Sequence, residues 1–160
     1  MAAPSEEQLR LARSLGVKNP ERLSPTELYK AIDNSPATAE QMSLLKSVMR
    51  YLNYGEPPAE ATFKQAGDAL SMLVPTANDV AIRELGIEVN DVIFWAGDTY
   101  IIVGIERKRK TVFIRRVELT SGEDGQPAQV ERTLDTQQKH YPLTLLERDA
   151  HKIDLTTWRG

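Results

Sequence analysis

The sequence predicts an α+β protein, a helical N-terminal half followed by a small antiparallel β-barrel, and three observations carry this expectation. Over residues 1–86, apolar side chains recur at three- and four-residue steps, the period of an amphipathic helix. After Gly86 the pattern changes to short β-rich runs bounded by turn residues, TYIIVGI and TVFIRRVEL among them. Serine or threonine followed three residues later by Gln or Glu stands before the main helical stretches, the pattern of a capping box.

Ser5 and Gln8 open the first helix: the serine oxygen accepts from an otherwise orphan N–H and the glutamine reaches back. Leu9, Ala12 and Leu15 share its buried face, and Gly16 supplies a left-handed stop. A linker, 17–23, leads to Ser24-Pro25-Thr26-Glu27. There serine caps, proline occupies the first turn at no cost in hydrogen bonds, and glutamate closes the box. Leu28 and Ile32 form the stripe of this second helix, and Asn34-Ser35-Pro36 breaks the chain. Thr38 with Gln41 starts a third, longer helix carrying Met42, Leu45, Met49 and Leu52, ended by Gly55-Glu56-Pro57-Pro58. Thr62 with Gln65 starts a fourth, carrying Phe63, Ala66, Leu70 and Leu73. Pro75-Thr76 reads as its end and as the start of a short fifth helix over 77–85.

Strands are expected at 91–95, 99–106, 111–119 and 129–134, with Ala96-Gly97-Asp98 a tight turn and 121–127 a polar, mobile loop. A last segment, from Tyr141-Pro142-Leu143 to Ile153, brings the strand count to five. This spacing suggests a small barrel or a strongly bent sheet. In 111–119, Phe113, Arg115, Val117 and Leu119 share one parity and Val112, Ile114 and Arg116 the other, so neither face is cleanly polar. Either a bulge shifts the register near Arg115, or both faces are partly covered. Three segments follow: 1–34, 35–86 and 87–160.

Hydrophobic residues make up 41% and charged residues 27% of the 160-residue chain, which is ordinary globular usage. No cysteine is present, which excludes disulfides, thiolate nucleophiles, thiolate metal sites and iron–sulfur clusters and fits a reducing cytoplasm. The N-terminus lacks a signal-peptide pattern, and no apolar run is long enough to span a bilayer. A soluble cytoplasmic protein is expected, with no membrane partner. Formal net charge is −3, so any nucleic-acid contact must be local, weak or shared with partners.

The local exception is one hairpin. Arg107-Lys108-Arg109-Lys110 lies between two β-rich runs, and the second run carries Arg115-Arg116, making six cations on an acidic chain. Such a patch fits phosphates, with Trp95, Tyr100 and Phe113 available for base stacking or for the core. Cations on an exposed turn also keep a sheet edge soluble, which is the competing reading. His140 and His151 are the only histidines, near Asp135, Glu147, Asp149 and Asp154, but without metal-ligand spacing. No nucleophile elbow and no glycine-rich phosphate loop occurs. No enzyme, metal or cofactor is expected. Tyr51, Tyr54 and Pro57-Pro58 form an aromatic-proline corner suited either to packing or to docking a protein.

Two segments resemble known modules. Glu6 to Asp33 resembles the SAP-like domain at the N-terminus of transcription terminator Rho, through Leu9, Ala12, Leu15-Gly16-Val17, Leu23, Glu27-Leu28 and Ile32. The resemblance implies a helix–linker–helix that accompanies nucleic-acid binding, with Lys18, Arg22 and Lys30, beside Arg10 and Arg13, as cationic contacts. Ser24-Pro25-Thr26 departs from it, standing where members often carry lysines. Residues 37–55 and 61–73 are similar to helical pairs appended to some phage and bacterial DNA-processing proteins, through Thr38, Gln41, Leu44, Leu45, Gly55, Thr62 and Ala66. The β half looks like an SH3-like small barrel by strand spacing, a fold that does not choose a function. Together these imply a non-enzymatic phage or bacterial accessory protein that docks electrostatically on nucleic acid or a larger nucleoprotein complex. The alternative is a protein–protein adaptor or an inhibitor of a host or defence complex.

Overall fold

The structure, a computed structural model, describes residues 4–121, 126–134 and 136–158. It is an α+β protein that divides into two compact units, Met1–Val74 and Pro75–Gly160.

The first unit holds α1 (Glu6–Ser14), a 3-10 turn (Pro20–Arg22), α2 (Pro25–Asn34), α3 (Ala39–Tyr51) and the start of α4 (Phe63–Leu85). All four expected capping boxes form. Ser5, Ser24, Thr38 and Thr62 each accept from the backbone N–H three residues on, and Gln8, Glu27, Gln41 and Gln65 each accept in return. Each box satisfies two of the donors that a helix start leaves orphaned. Gly16 adopts the left-handed conformation (φ 85°) expected of a stop. Ala12, Leu28 and Ile32 form the core between α1 and α2, with Leu9, Leu15, Val17, Leu23 and Phe63 packed around them. The apolar positions that carry the Rho-like resemblance are therefore packing positions. Phe63 N–H donates to the Ser35 carbonyl at 2.7 Å and Ala37 N–H to the Ala61 carbonyl at 3.0 Å, tying the segment before α3 to the start of α4.

The helix break expected at Pro75 does not occur. α4 runs for 23 residues with Pro75 inside it. Proline forfeits a bond to the Ser71 carbonyl and crowds it. The burial of Val74, Ala77, Asn78 and Ala81 along this stretch outweighs that local preference.

The second unit contains the rest of α4, then β1 (Val92–Trp95), β2 (Asp98–Ile105), β3 (Val112–Thr120), β4 (Gln129–Thr133), β5 (Gln138–His140), α5 (Pro142–Glu147) and β6 (His151–Lys152). Six strands form one antiparallel sheet in the order β4-β3-β2-β1-β6, with β5 also paired to β3. The segment after Tyr141 thus contributes a short helix and a two-residue strand rather than one long strand. β4 and β6 end the sheet, which is open rather than a closed barrel. Next to these ends, Ala128 N–H donates to the Leu155 carbonyl at 2.7 Å. Gly122 to Gly125, in the expected polar loop, and Asp135 lie outside the described residues.

Ile87, Ile93, Trp95, Tyr100, Ile102, Val112, Ile114 and Leu145 form the core of this unit, and Ile82, Leu85, Ile105 and Ala150 pack against it. The register answers the question left by the third strand. Arg115 and Arg116 pair regularly with Ile101 and Tyr100; the β2–β3 shift lies between Ile102 and Gly104 on β2, and the β3–β4 shift is at Glu118/Leu119. Val112 and Ile114 are buried on one parity and Val117 on the other, so both faces are partly covered.

Candidate nucleic-acid interface

The four cations 107–110 form the connection between β2 and β3. The last ladder pair is Ile105 with Val112. Beyond it Glu106 N–H donates to the Thr111 carbonyl at 2.8 Å and Lys110 N–H returns to the Glu106 carbonyl at 3.0 Å. Lys110 closes the turn with φ 61°, a conformation that glycine or asparagine adopts at less cost than lysine.

Two anchors hold this turn. The Glu106 carboxylate accepts from the buried Thr111 hydroxyl at 3.0 Å and from the Arg109 backbone N–H at 3.4 Å, and its Oε2 lies 3.6 Å from Lys139 Nζ. The Thr111 hydroxyl, then the Arg109 N–H and the charges of Lys139 and Arg109, hold this carboxyl below the usual carboxylate range against some desolvation. From the other side Asn78, buried on α4, donates Nδ2–H to the Arg109 carbonyl at 2.9 Å. The result is a fixed turn on which Arg107, Lys108 and Arg109 are exposed and Lys110 is half-buried. Among the described residues, no ion pair engages Arg107, Lys108 or Lys110.

Arg115 and Arg116 are half-buried on opposite faces of β3, and Arg116 Nη1 lies 4.0 Å from Asp98 Oδ2. Lys18, Arg22 and Lys30 are exposed in the first unit, on the linker, the 3-10 turn and α2. Arg10 and Arg13 are exposed on α1, with Arg13 3.7 Å from Glu21. The sequence-predicted cations therefore fall into two groups, one on each unit.

Of the aromatics considered for stacking, two are excluded. Trp95 and Tyr100 are 5% and 7% exposed in the core, their rings in a T-shaped, edge-to-face contact at 5.7 Å. Alternation places both on the inward parity of their strands, which the sequence alone left open. Phe113 is half-buried and lies on the opposite parity from Val112 and Ile114. Tyr54 is exposed, whereas Tyr51 is half-buried and Pro57 buried.

His140 packs edge-on against Trp95 at 4.7 Å, with Nε2 3.1 Å from Gln138 Oε1. Burial, then the Arg148 charge, lowers its pKa. His151 is exposed beside the Phe94 ring at 5.5 Å. Asp154 accepts from the Thr156 hydroxyl and N–H, which hold its carboxyl low. Among the described residues, no group of three or more His, Asp or Glu is placed to hold a metal ion, and no helix is long and apolar enough to cross a membrane.

The sequence reading missed Glu106, Thr111, Asn78 and Lys139. Glu106 and Thr111 bracket the cation run and were recognisable as the hinge pair of a turn. Asn78 shows only as a polar residue among Val74, Ala77 and Ala81, and Lys139 carried no signal. No protein family, curated protein or solved structure matches the chain.

Proposed function

We propose that the protein is a non-enzymatic accessory factor that docks on a nucleic-acid backbone through the β2–β3 turn. The observation that supports this is the anchored turn itself. Four consecutive cations sit on backbone held by Glu106 and Asn78, with a lysine kept at a left-handed position where glycine is easier. A solubilising surface does not need its charges fixed in place; a phosphate-binding one gains from it, because less ordering entropy is lost on binding. Contacts of this kind position a protein without reading sequence. Lys18, Arg22 and Lys30 on the helix–linker–helix would give a second, weaker contact. The sheet order, with a short helix between β5 and β6, is compatible with an SH3-like architecture, and the cysteine-free chain suits the cytoplasm.

Serine at 107–110 tests the reading. Fluorescence anisotropy with labelled DNA and RNA should show binding lost at low salt. A thermal melt establishes that the variant folds. Unchanged affinity in a folded variant refutes the reading. A protein–protein adaptor is the alternative: partner capture from lysate that survives nuclease treatment would favour it.

A further inference from the structure

We propose that the nucleic acid met by the turn is an unpaired strand, one base of which stacks on Phe113 between Arg115 and Lys139. The inference rests on the electrostatic reading above and gives it a ligand class. Along β3, Val112 and Ile114 enter the core, so Phe113 and Arg115 lie on the other face. Phe113 stands opposite Gly104 on β2 and opposite Lys139 on β5. Gly104 contributes no side chain, and a Cβ built there would lie 3.6 Å from the Phe113 ring; the ring borders bare backbone on that side. Lys139 reaches the Glu106 carboxylate at the foot of the cationic turn. One stripe therefore joins Arg115, Phe113 and Lys139 to Arg107–Lys110, with Glu106 among the positive charges.

The arrangement alternates a π-face with cations. A duplex keeps its bases stacked on one another and offers such a stripe only phosphates. A single strand offers phosphates and an open base face, and base–aromatic stacking tolerates any sequence. With Trp95 and Tyr100 in the core, Phe113 is the one of those three aromatics that the core does not take up.

Anisotropy with three probes tests this: a labelled oligothymidine, an abasic strand of equal length and charge, and a duplex. The native protein should bind oligothymidine about tenfold more tightly than the abasic strand. Phe113→Leu should abolish that preference and leave the abasic affinity unchanged. Equal binding of the two strands by the native protein overturns the proposal, as does a preference that survives in folded Phe113→Leu. Phe113→Trp retains an aromatic face and reports directly. Its added emission should be quenched by oligothymidine and not by the abasic strand; absence of quenching at saturation overturns the proposal. Failure of the native protein to bind any of the three refutes the electrostatic reading instead.

Discussion

Removing the Asn78 amide should loosen the cationic turn without touching any of its charges. Asn78 is 2% exposed, and its Nδ2–H donates to the Arg109 carbonyl at 2.9 Å. A hydrogen bond of this kind contributes about 0.5–1.5 kcal/mol net. Truncation to alanine also leaves buried space, which adds up to about 1 kcal/mol. Asn78→Ala should therefore cost about 0.5–2.5 kcal/mol in urea unfolding of the full chain. Asn78→Leu fills the space but cannot donate, and so separates the bond from the packing. Hydrogen exchange gives the local readout, because the Lys110 N–H is bonded to the Glu106 carbonyl. Its protection should fall in both variants. A loss under about 0.5 kcal/mol, with Lys110 exchange unchanged, would show that α4 does not hold the turn.

Two further perturbations follow. Lys110→Gly relieves a left-handed lysine and should raise stability by about 0.5–1 kcal/mol while weakening oligonucleotide binding; urea unfolding and anisotropy on the same sample show whether the two move in opposite directions. His140, whose pKa is lowered by burial and by Arg148, binds its proton less readily folded than unfolded. Stability should then be full above the unfolded value of about 6.5 and decline as pH falls below it. Glu27, Glu106, Glu118 and Asp154, whose pKa values are also lowered, make their losses at lower pH. Urea titrations between about pH 5 and 7.5 should thus show a slope that His140→Gln reduces; an identical slope in the variant would exclude His140 as its source.

Local chemistry was readable and long-range consequences were not. Each capping box is written within four residues, and Ser5, Ser24, Thr38 and Thr62 all form one. The switch from helix to strand at Gly86 was equally visible, since the apolar period changes there. Pro75 misled because its local cost is real, and only the burial along α4 reverses the inference. Trp95 and Tyr100 were ambiguous because the face of a short strand depends on its neighbours' register. The cations of the turn were plain in the sequence. Their anchor was not: Asn78 lies 31 residues from Arg109, and nothing in either segment names the other.

The capping boxes carry a consequence for life in acid. Gln8, Gln41 and Gln65 close three of the four with an amide that does not titrate; only the Ser24 box closes on a carboxylate, Glu27. That carboxylate is held low by its bonds to Ser24. Below its pKa, α2 loses an ionised cap and the charge that favours its positive N-terminus, while α1, α3 and α4 keep their caps intact. In acid, then, the Ser24 box is the cap whose own hydrogen-bonding group changes charge, while the Ser5, Thr38 and Thr62 boxes keep neutral amides in place.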